Sequence, residues 1–234
     1  MRQWRQRVEM VAGRTFAAMI RLIASARRGG RKSLHPRGEV LPALVRRMGS
    51  TTKTGVRWLD EAGTDRVLVR QSRSLGLPHP FPDVLGLALR IHEDSHGYGD
   101  VLLATTGSGV PGRFLLRPVR DAQHAAYSSL FPYRTPIGPL VLAAFPTGRS
   151  GLFELAWAPL LGRWRRFATL DLLHGAADAE GPDAPIAFDP VLNVIPSLEP
   201  YGWSRRLREA SYAASRRARA DRDLEADGST GHAS

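Results

Sequence analysis

The chain has 234 residues, of which 43% are hydrophobic, enough for one domain with a sizeable core. It contains no cysteine, so disulfides, thiolate metal sites and cysteine nucleophiles are excluded. The formal net charge of +11 is concentrated at the two ends, with eight Arg against one Glu (+7) in residues 1–31 and seven Arg against two carboxylates (+5) in residues 203–222. Glu9 and Arg14 interrupt the apolar region that a signal peptide would need, so we expect a cytoplasmic protein.

The first predicted element is a basic amphipathic helical arm over residues 1–31. Its apolar side chains, from Trp4 through Phe16 to Ile23, recur at roughly helical spacing, with arginines between them. The pattern leaves three alternatives open: packing on the domain, packing on a second copy in a homo-oligomer, and peripheral contact with a membrane surface. No specific nucleic-acid partner is expected.

The segment that follows has short apolar runs separated by turn residues, which is the pattern of antiparallel strands. Strands are predicted at residues 67–69, 84–91, 101–104, 114–116, 140–145 and 152–156. Strands at such spacing favour an antiparallel sheet or barrel. A second basic helix is predicted over residues 205–224. The main domain would then span residues 32–224, followed by a disordered tail at 225–234.

Four segments along this domain stand out together because of their order. They are Leu34-His35-Pro36-Arg37-Gly38, Val67-Leu68-Val69-Arg70-Gln71-Ser72, the run from Pro82 to Leu103, and a C-terminal set made of Phe188-Asp189-Pro190, Ile195-Pro196-Ser197-Leu198-Glu199-Pro200 and Arg208-Glu209-Ala210-Ser211-Tyr212. In this order they resemble the haem-dependent catalases. Gln71 departs from that pattern, since the family has an aromatic residue there.

The resemblance implies an α+β protein, an antiparallel β-barrel of catalase type with N-terminal and C-terminal helices, that binds haem b. Tyr212 would be the proximal iron ligand, and tyrosinate is a known ligand of haem iron. A free phenol titrates near pH ~10, so Arg208, one helical turn earlier, would stabilise the phenolate. Arg70 and Arg219 would hold the propionates.

On the other side of the iron, His35 would act as the acid and base that moves a peroxide proton. The resemblance implies that Ser72 orients the His35 ring, and it puts Thr105 where the family has a distal asparagine. Because peroxide dismutation needs a preorganised pocket, this change favours a peroxidase-like or hydroperoxide-converting activity over a catalase activity. The expected substrate is a peroxide or an organic hydroperoxide, bound in an apolar pocket between His35 and Tyr212.

Two alternatives to a haem enzyme stay open. One is a non-catalytic binding module with the same fold. The other is a metal-dependent phosphodiesterase, because residues 92–100 contain two histidines and three carboxylates that could bind metal. The second reading needs further ligands from distant segments, and His79, His124 and His174 have no convincing spacing.

Overall fold

The computed structural model describes residues 39–74, 80–93, 97–173, 186 and 188–206. Within these ranges the chain forms ten β-strands, one complete short α-helix, two single 3-10 turns and a helical segment at residues 202–206. The strands are β1 (Glu39–Met48), β2 (Ala62–Arg73), β3 (Leu85–Glu93), β4 (Gly97–Thr106), β5 (Ala126–Ser128), β6 (Tyr133–Thr135), β7 (Gly138–Pro146), β8 (Leu152–Pro159), β9 (Arg165–Leu172) and β10 (Glu199–Pro200). The helix is α1 (Arg57–Asp60), and the 3-10 turns are Gly112–Phe114 and Ala122–His124.

Eight of these strands close an antiparallel barrel. Their order is β7-β5-β4-β3-β2-β1-β9-β8, and β8 pairs back onto β7 along its whole length. β6 pairs with the first part of β7, on the same edge as β5, and β10 adds to β6 outside the ring. The predicted antiparallel barrel is therefore confirmed.

The interior of the barrel is filled by alternate residues of each strand, as expected for a barrel of eight strands. Val67 and Val69 of β2 and Leu87 and Leu89 of β3 belong to this core and are all at least 96% buried. Their neighbours in sequence point to the outside of the barrel. Each strand of this wall thus has an inner and an outer face, and these faces decide where functional side chains lie.

One end of the barrel is closed by the β1–β2 connection and its helix α1. Val56 and Leu59 are fully buried there, and the Trp58 ring packs edge-on against Phe167 with centroids 5.1 Å apart. The Asp60 carboxylate accepts hydrogen bonds from two backbone N–H groups of the connection at 2.9 and 2.8 Å, which fixes its path. The connection therefore covers this end of the barrel in a fixed conformation.

Several features of the sheet differ from the sequence predictions, which contained none of β1, β5, β6 and β10. The strand predicted at residues 114–116 is wrong: Phe114 ends a 3-10 turn, and Leu116 makes only an isolated bridge to Thr106. Here the backbones of Gly107 and Gly112 meet, with a hydrogen bond of 3.0 Å, and turn the chain back. The sequence also missed β9, which closes the ring between β1 and β8 although it begins with two exposed arginines.

The helical arm predicted for residues 1–31 lies outside the described residues. Residues 202–206 are helical, so the predicted C-terminal helix starts three residues earlier than expected, and the rest of it is outside the described part. Among the residues that the structure describes, no helix is long and apolar enough to cross a membrane.

Candidate functional site

The outer side of strands β2, β3 and β4 brings together side chains from distant positions. Arg70 lies opposite Val40 on β1 and Ala88 on β3, and Ser72 lies opposite Gly86. Gly86 and Ala88 in turn face Ala104 and Leu102 on β4. We call this surface the outer β2–β4 face, and it consists of Val40, Arg70, Ser72, Gly86, Ala88, Leu102 and Ala104.

Arg70 is the charged group at the centre of the outer β2–β4 face. Its Nε atom is excluded from solvent and has no hydrogen-bond partner in the described part of the chain. A buried donor without an acceptor costs about 1–3 kcal/mol, more when it is charged. Val40, the cross-strand neighbour of Arg70, is only 1% exposed although it lies outside the core cluster. The arrangement suits an anionic group that reaches Arg70 at a partly covered site.

The rest of this face is small and flat. A Cβ on Gly86 would lie only 2.6 Å from the Ser72 hydroxyl oxygen, so the glycine makes room for that hydroxyl. Ala88 and Ala104, on either side, add only methyl groups. Such a surface can receive a flat ligand in close contact, with one hydroxyl and one guanidinium at hand.

Thr105 does not share this face with Arg70 and Ser72. It follows Ala104 in β4 and therefore points to the other side of the sheet, where it is fully buried. Its hydroxyl accepts a hydrogen bond from Leu85 N at 3.1 Å and donates one to the Arg117 carbonyl at 2.7 Å. The only proton of this hydroxyl is thus engaged in holding the β4–β5 connection.

The segment of residues 188–200 is tied to the start of β4 through Asp100. The Asp100 carboxylate accepts hydrogen bonds from Asp189 N and Asn193 Nδ2, each at 2.7 Å, and Asp100 N donates to the Asn193 carbonyl at 2.9 Å. Arg90 holds the same carboxylate with two bonds of 2.8 and 2.7 Å, and this hydrogen-bonded pairing raises the pKa of Arg90. Two of the catalase-like segments, separated by some ninety residues, therefore meet at one buried ion pair.

Further contacts attach residues 195–203 to the barrel, up to the beginning of the C-terminal helix. Ile195 occupies the space where a Cβ on residue 99 would lie, so only glycine fits at this position. Glu199 forms an ion pair with Arg134 of β6. The Trp203 ring then packs edge-on against Phe131, with centroids 5.2 Å apart. The helical segment 202–206 thus starts from a fixed point on the barrel.

Four of the predicted site residues lie outside the described residues: His35, Arg208, Tyr212 and Arg219. Their roles stay predictions. Of the other three, Arg70 and Ser72 are brought together on one face, and Thr105 lies on the opposite one. What the sequence analysis missed is the set of small partners across the strands, Gly86, Ala88 and Ala104, because only the register reveals them.

The competing metal site gains no support from the residues that can be described. Among them no group of three or more histidines and carboxylates is placed to bind a metal ion. Asp100, the last carboxylate of the run 92–100, is taken up by Arg90 and the segment 188–200. The ring of His92 packs edge-on against Tyr98, at 5.6 Å between centroids. Asp94 and His96 are outside the described part.

Comparison with known proteins supports the fold. No family model and no curated protein matches the chain. Among solved structures, the crystal structure of a fungal catalase aligns with 80% of this chain at a TM-score of 0.50 and 12% sequence identity. The chain spans 59% of the length of that catalase. The likeness shows that the barrel is of catalase type.

Proposed function

We propose that this protein binds haem b against the outer β2–β4 face and acts there on a peroxide. The observation that carries the proposal is the buried, unpartnered Nε of Arg70 on a face otherwise made of small and apolar side chains, in a barrel of catalase type. A haem propionate would supply the acceptor that Arg70 lacks. The small residues Gly86 and Ala88 leave room for the macrocycle.

Tyr212 is the proposed proximal ligand, Arg208, four residues earlier in the sequence, is the proposed cation beside its phenolate, and Arg219 is a proposed partner of a propionate. When bound, haem supplies a redox-active iron that reacts with peroxides. The protein side chains would handle the protons: His35 would take the peroxide proton and return it to the leaving oxygen, and Ser72 would orient the His35 ring. The anchoring of residues 188–203 on the barrel supports this by giving the helix before Tyr212 a fixed origin.

Within this proposal, organic hydroperoxides are the favoured substrate class. Apart from Ser72 and Arg70, the outer β2–β4 face consists of Val40, Ala88, Leu102 and Ala104 together with Gly86. Such a wall can make apolar contacts with the organic substituent of a hydroperoxide. It has few hydrogen-bond donors that could bind the second oxygen atom of hydrogen peroxide. Thr105, which points away from this wall, adds none on this side.

The proposal is tested by adding hemin to the purified full-length protein and recording the absorption spectrum. Wild type should bind about one equivalent, with a tyrosinate-ligated spectrum. Tyr212→Phe should lose or change that spectrum because the axial ligand is removed. His35→Ala should keep the spectrum and lose most turnover of cumene hydroperoxide, because only proton transfer is affected.

Two results would contradict the proposal. An unchanged spectrum in Tyr212→Phe would remove Tyr212 as the ligand. No uptake of hemin by wild type would favour the non-catalytic binding module, since the fold would then remain without its cofactor.

A further inference from the structure

Three neighbouring connections at one end of the barrel each expose a large aliphatic side chain. Met48, at the end of β1, is 63% exposed, Leu161 between β8 and β9 is 61% exposed, and Ile137 between β6 and β7 is 51% exposed. Isolated exposed apolar residues are common, but three on adjacent connections form a pattern that calls for an explanation.

The three connections are neighbours in space as well as in strand order. β1, β9, β8 and β7 are consecutive in the barrel, and the β1–β2, β8–β9 and β6–β7 connections all lie at the same end of these strands. The β1–β2 connection links the other two: Thr52 hydrogen-bonds the side chain of Arg165, and Gly55 is packed against Pro136. We call Met48, Ile137 and Leu161, with the cations around them, the three-turn rim.

The cations of the three-turn rim are Lys53, Arg163 and Arg165, all exposed. None of them forms an ion pair with a carboxylate of the described residues; Lys53 donates to the Asp60 carbonyl, and Arg165 lies over the Trp157 ring. Glu61, an exposed carboxylate of the same connection, is held by Arg57 at 2.8 Å. The rim therefore combines aliphatic tips with a net positive charge.

We propose that the three-turn rim docks on an anionic lipid surface. Aliphatic side chains at separate turn tips can enter the lipid interface, while the arginines and the lysine between them stay at the level of the anionic headgroups. This inference does not depend on haem binding, and it concerns a surface other than the arm of residues 1–31.

A second copy of the chain fits the rim less well than lipid does. A two-fold contact through this surface would bring Lys53, Arg163 and Arg165 against their own copies, with like charges facing each other. The rim also presents three separate aliphatic tips rather than the continuous aromatic core that is typical of protein interfaces. A fluid lipid surface adapts to separate tips.

The test is sedimentation of the full-length protein with vesicles of phosphatidylcholine alone and of phosphatidylcholine with phosphatidylglycerol. The variant Met48→Ser/Ile137→Ser/Leu161→Ser should lose about tenfold or more of its binding to the anionic vesicles. Its control is Phe81→Ser, which removes an exposed apolar residue (58%) from the β2–β3 connection at the other end of the barrel and should bind like wild type.

A second pair of variants tests the charge. Lys53→Gln/Arg163→Gln should lose most of the preference for anionic over neutral vesicles, whereas Arg117→Gln/Arg120→Gln, from exposed positions at the other end, should keep it. Melting temperatures and the three single aliphatic variants guard against a folding defect.

The proposal is overturned if wild type binds neither kind of vesicle. It is also overturned if the triple variant binds as wild type does, which would assign binding to residues 1–31. A dimer in wild type that the triple variant loses would assign the rim to a second copy instead.

Discussion

At Asp100, contacts from Arg90, Asp189 and Asn193 converge on one carboxylate that is wholly excluded from solvent. We expect Asp100→Asn to lower the free energy of unfolding by about 3 kcal/mol, because the buried carboxylate that binds Arg90, Asp189 N and Asn193 Nδ2 would lose its charge. Urea unfolding followed by tryptophan fluorescence measures the change.

The control for Asp100→Asn is Glu61→Gln, which removes an exposed ion pair to Arg57 of similar length, 2.8 Å. Exposed pairs of this kind contribute less than about 1 kcal/mol. Equal losses in the two variants would mean that the contacts of Asp100 do not anchor the segment 188–200.

We expect Tyr127 to make the free energy of unfolding fall as the pH rises above about 10. Burial, with a smaller effect from the charge of Asp121, raises the pKa of this phenol above its ordinary value of 10.0. Above about pH 10 the phenol of the unfolded chain ionises first, so its contribution to stability is complete below that pH and is lost as pH rises towards the folded pKa.

The expected loss from Tyr127 is about 1.4 kcal/mol per pH unit above pH 10. Tyr127→Phe should be less sensitive to pH in this range and close to wild type at pH 8, since the hydrogen bond from the Tyr127 hydroxyl to the Ala122 carbonyl is long, at 3.4 Å. Chemical unfolding at pH 8, 10 and 11 measures both. The same alkaline slope in the two proteins would show that Tyr127 ionises without cost in the folded state.

Arg70 and Ser72 were selected because residues 67–72 resemble a strand of the catalases; two residues apart on one strand, they could be expected to share a face, and their roles stay predictions. The sequence could not assign a face to Thr105, since a shift of one residue along a strand moves a side chain to the other side of the sheet. Only the pairing of Gly86 with Ala104 fixes that choice. The junction at Asp100 was likewise out of reach, because its partners at 189 and 193 are far away along the chain.

Among the elements, the contact between β4 and the segment 188–200 depends on a glycine. Gly99→Ala would place a methyl group on Ile195, and we expect a loss of about 1–3 kcal/mol in the free energy of unfolding. The loss caused by Gly99→Ala should be smaller in an Ile195→Ala background, because that substitution removes the Cγ1 atom, which lies only 2.4 Å from the added Cβ position. Gly109→Ala is the matched control, because nothing lies within 4 Å of its Cβ position. A loss as large at Gly109 would attribute the effect to backbone freedom instead.

The strands were predictable to different degrees. β3 and β7 were predicted within two residues at each end, because long apolar runs stood between clear turn signals. β5 and β6 were missed since they have three residues each, too few to show a period. β9 was missed because its first two residues, Arg165 and Arg166, are exposed and charged and do not indicate a strand.

At the scale of the molecule, antiparallel strands could be predicted from local patterns, but closure of the barrel could not. Closure rests on the pairing of β9 with β1, which joins residues more than a hundred positions apart, and on the pairing of β8 with its sequence neighbour β7. In the closed ring the core fills the inner side of β2, β3 and β4, and the outer β2–β4 face is on the opposite side of the same strands. It is this division that makes the outer β2–β4 face available for a ligand.

The most direct measurement is a hemin titration of wild type, Arg70→Leu and Arg66→Leu. Both substitutions remove one arginine from the outside of β2, but Arg66 is exposed and lies away from the outer β2–β4 face. If Arg70 holds a propionate, Arg70→Leu should weaken hemin binding by about tenfold or more, while Arg66→Leu binds as wild type does. Equal affinities for all three proteins would contradict haem binding at this face.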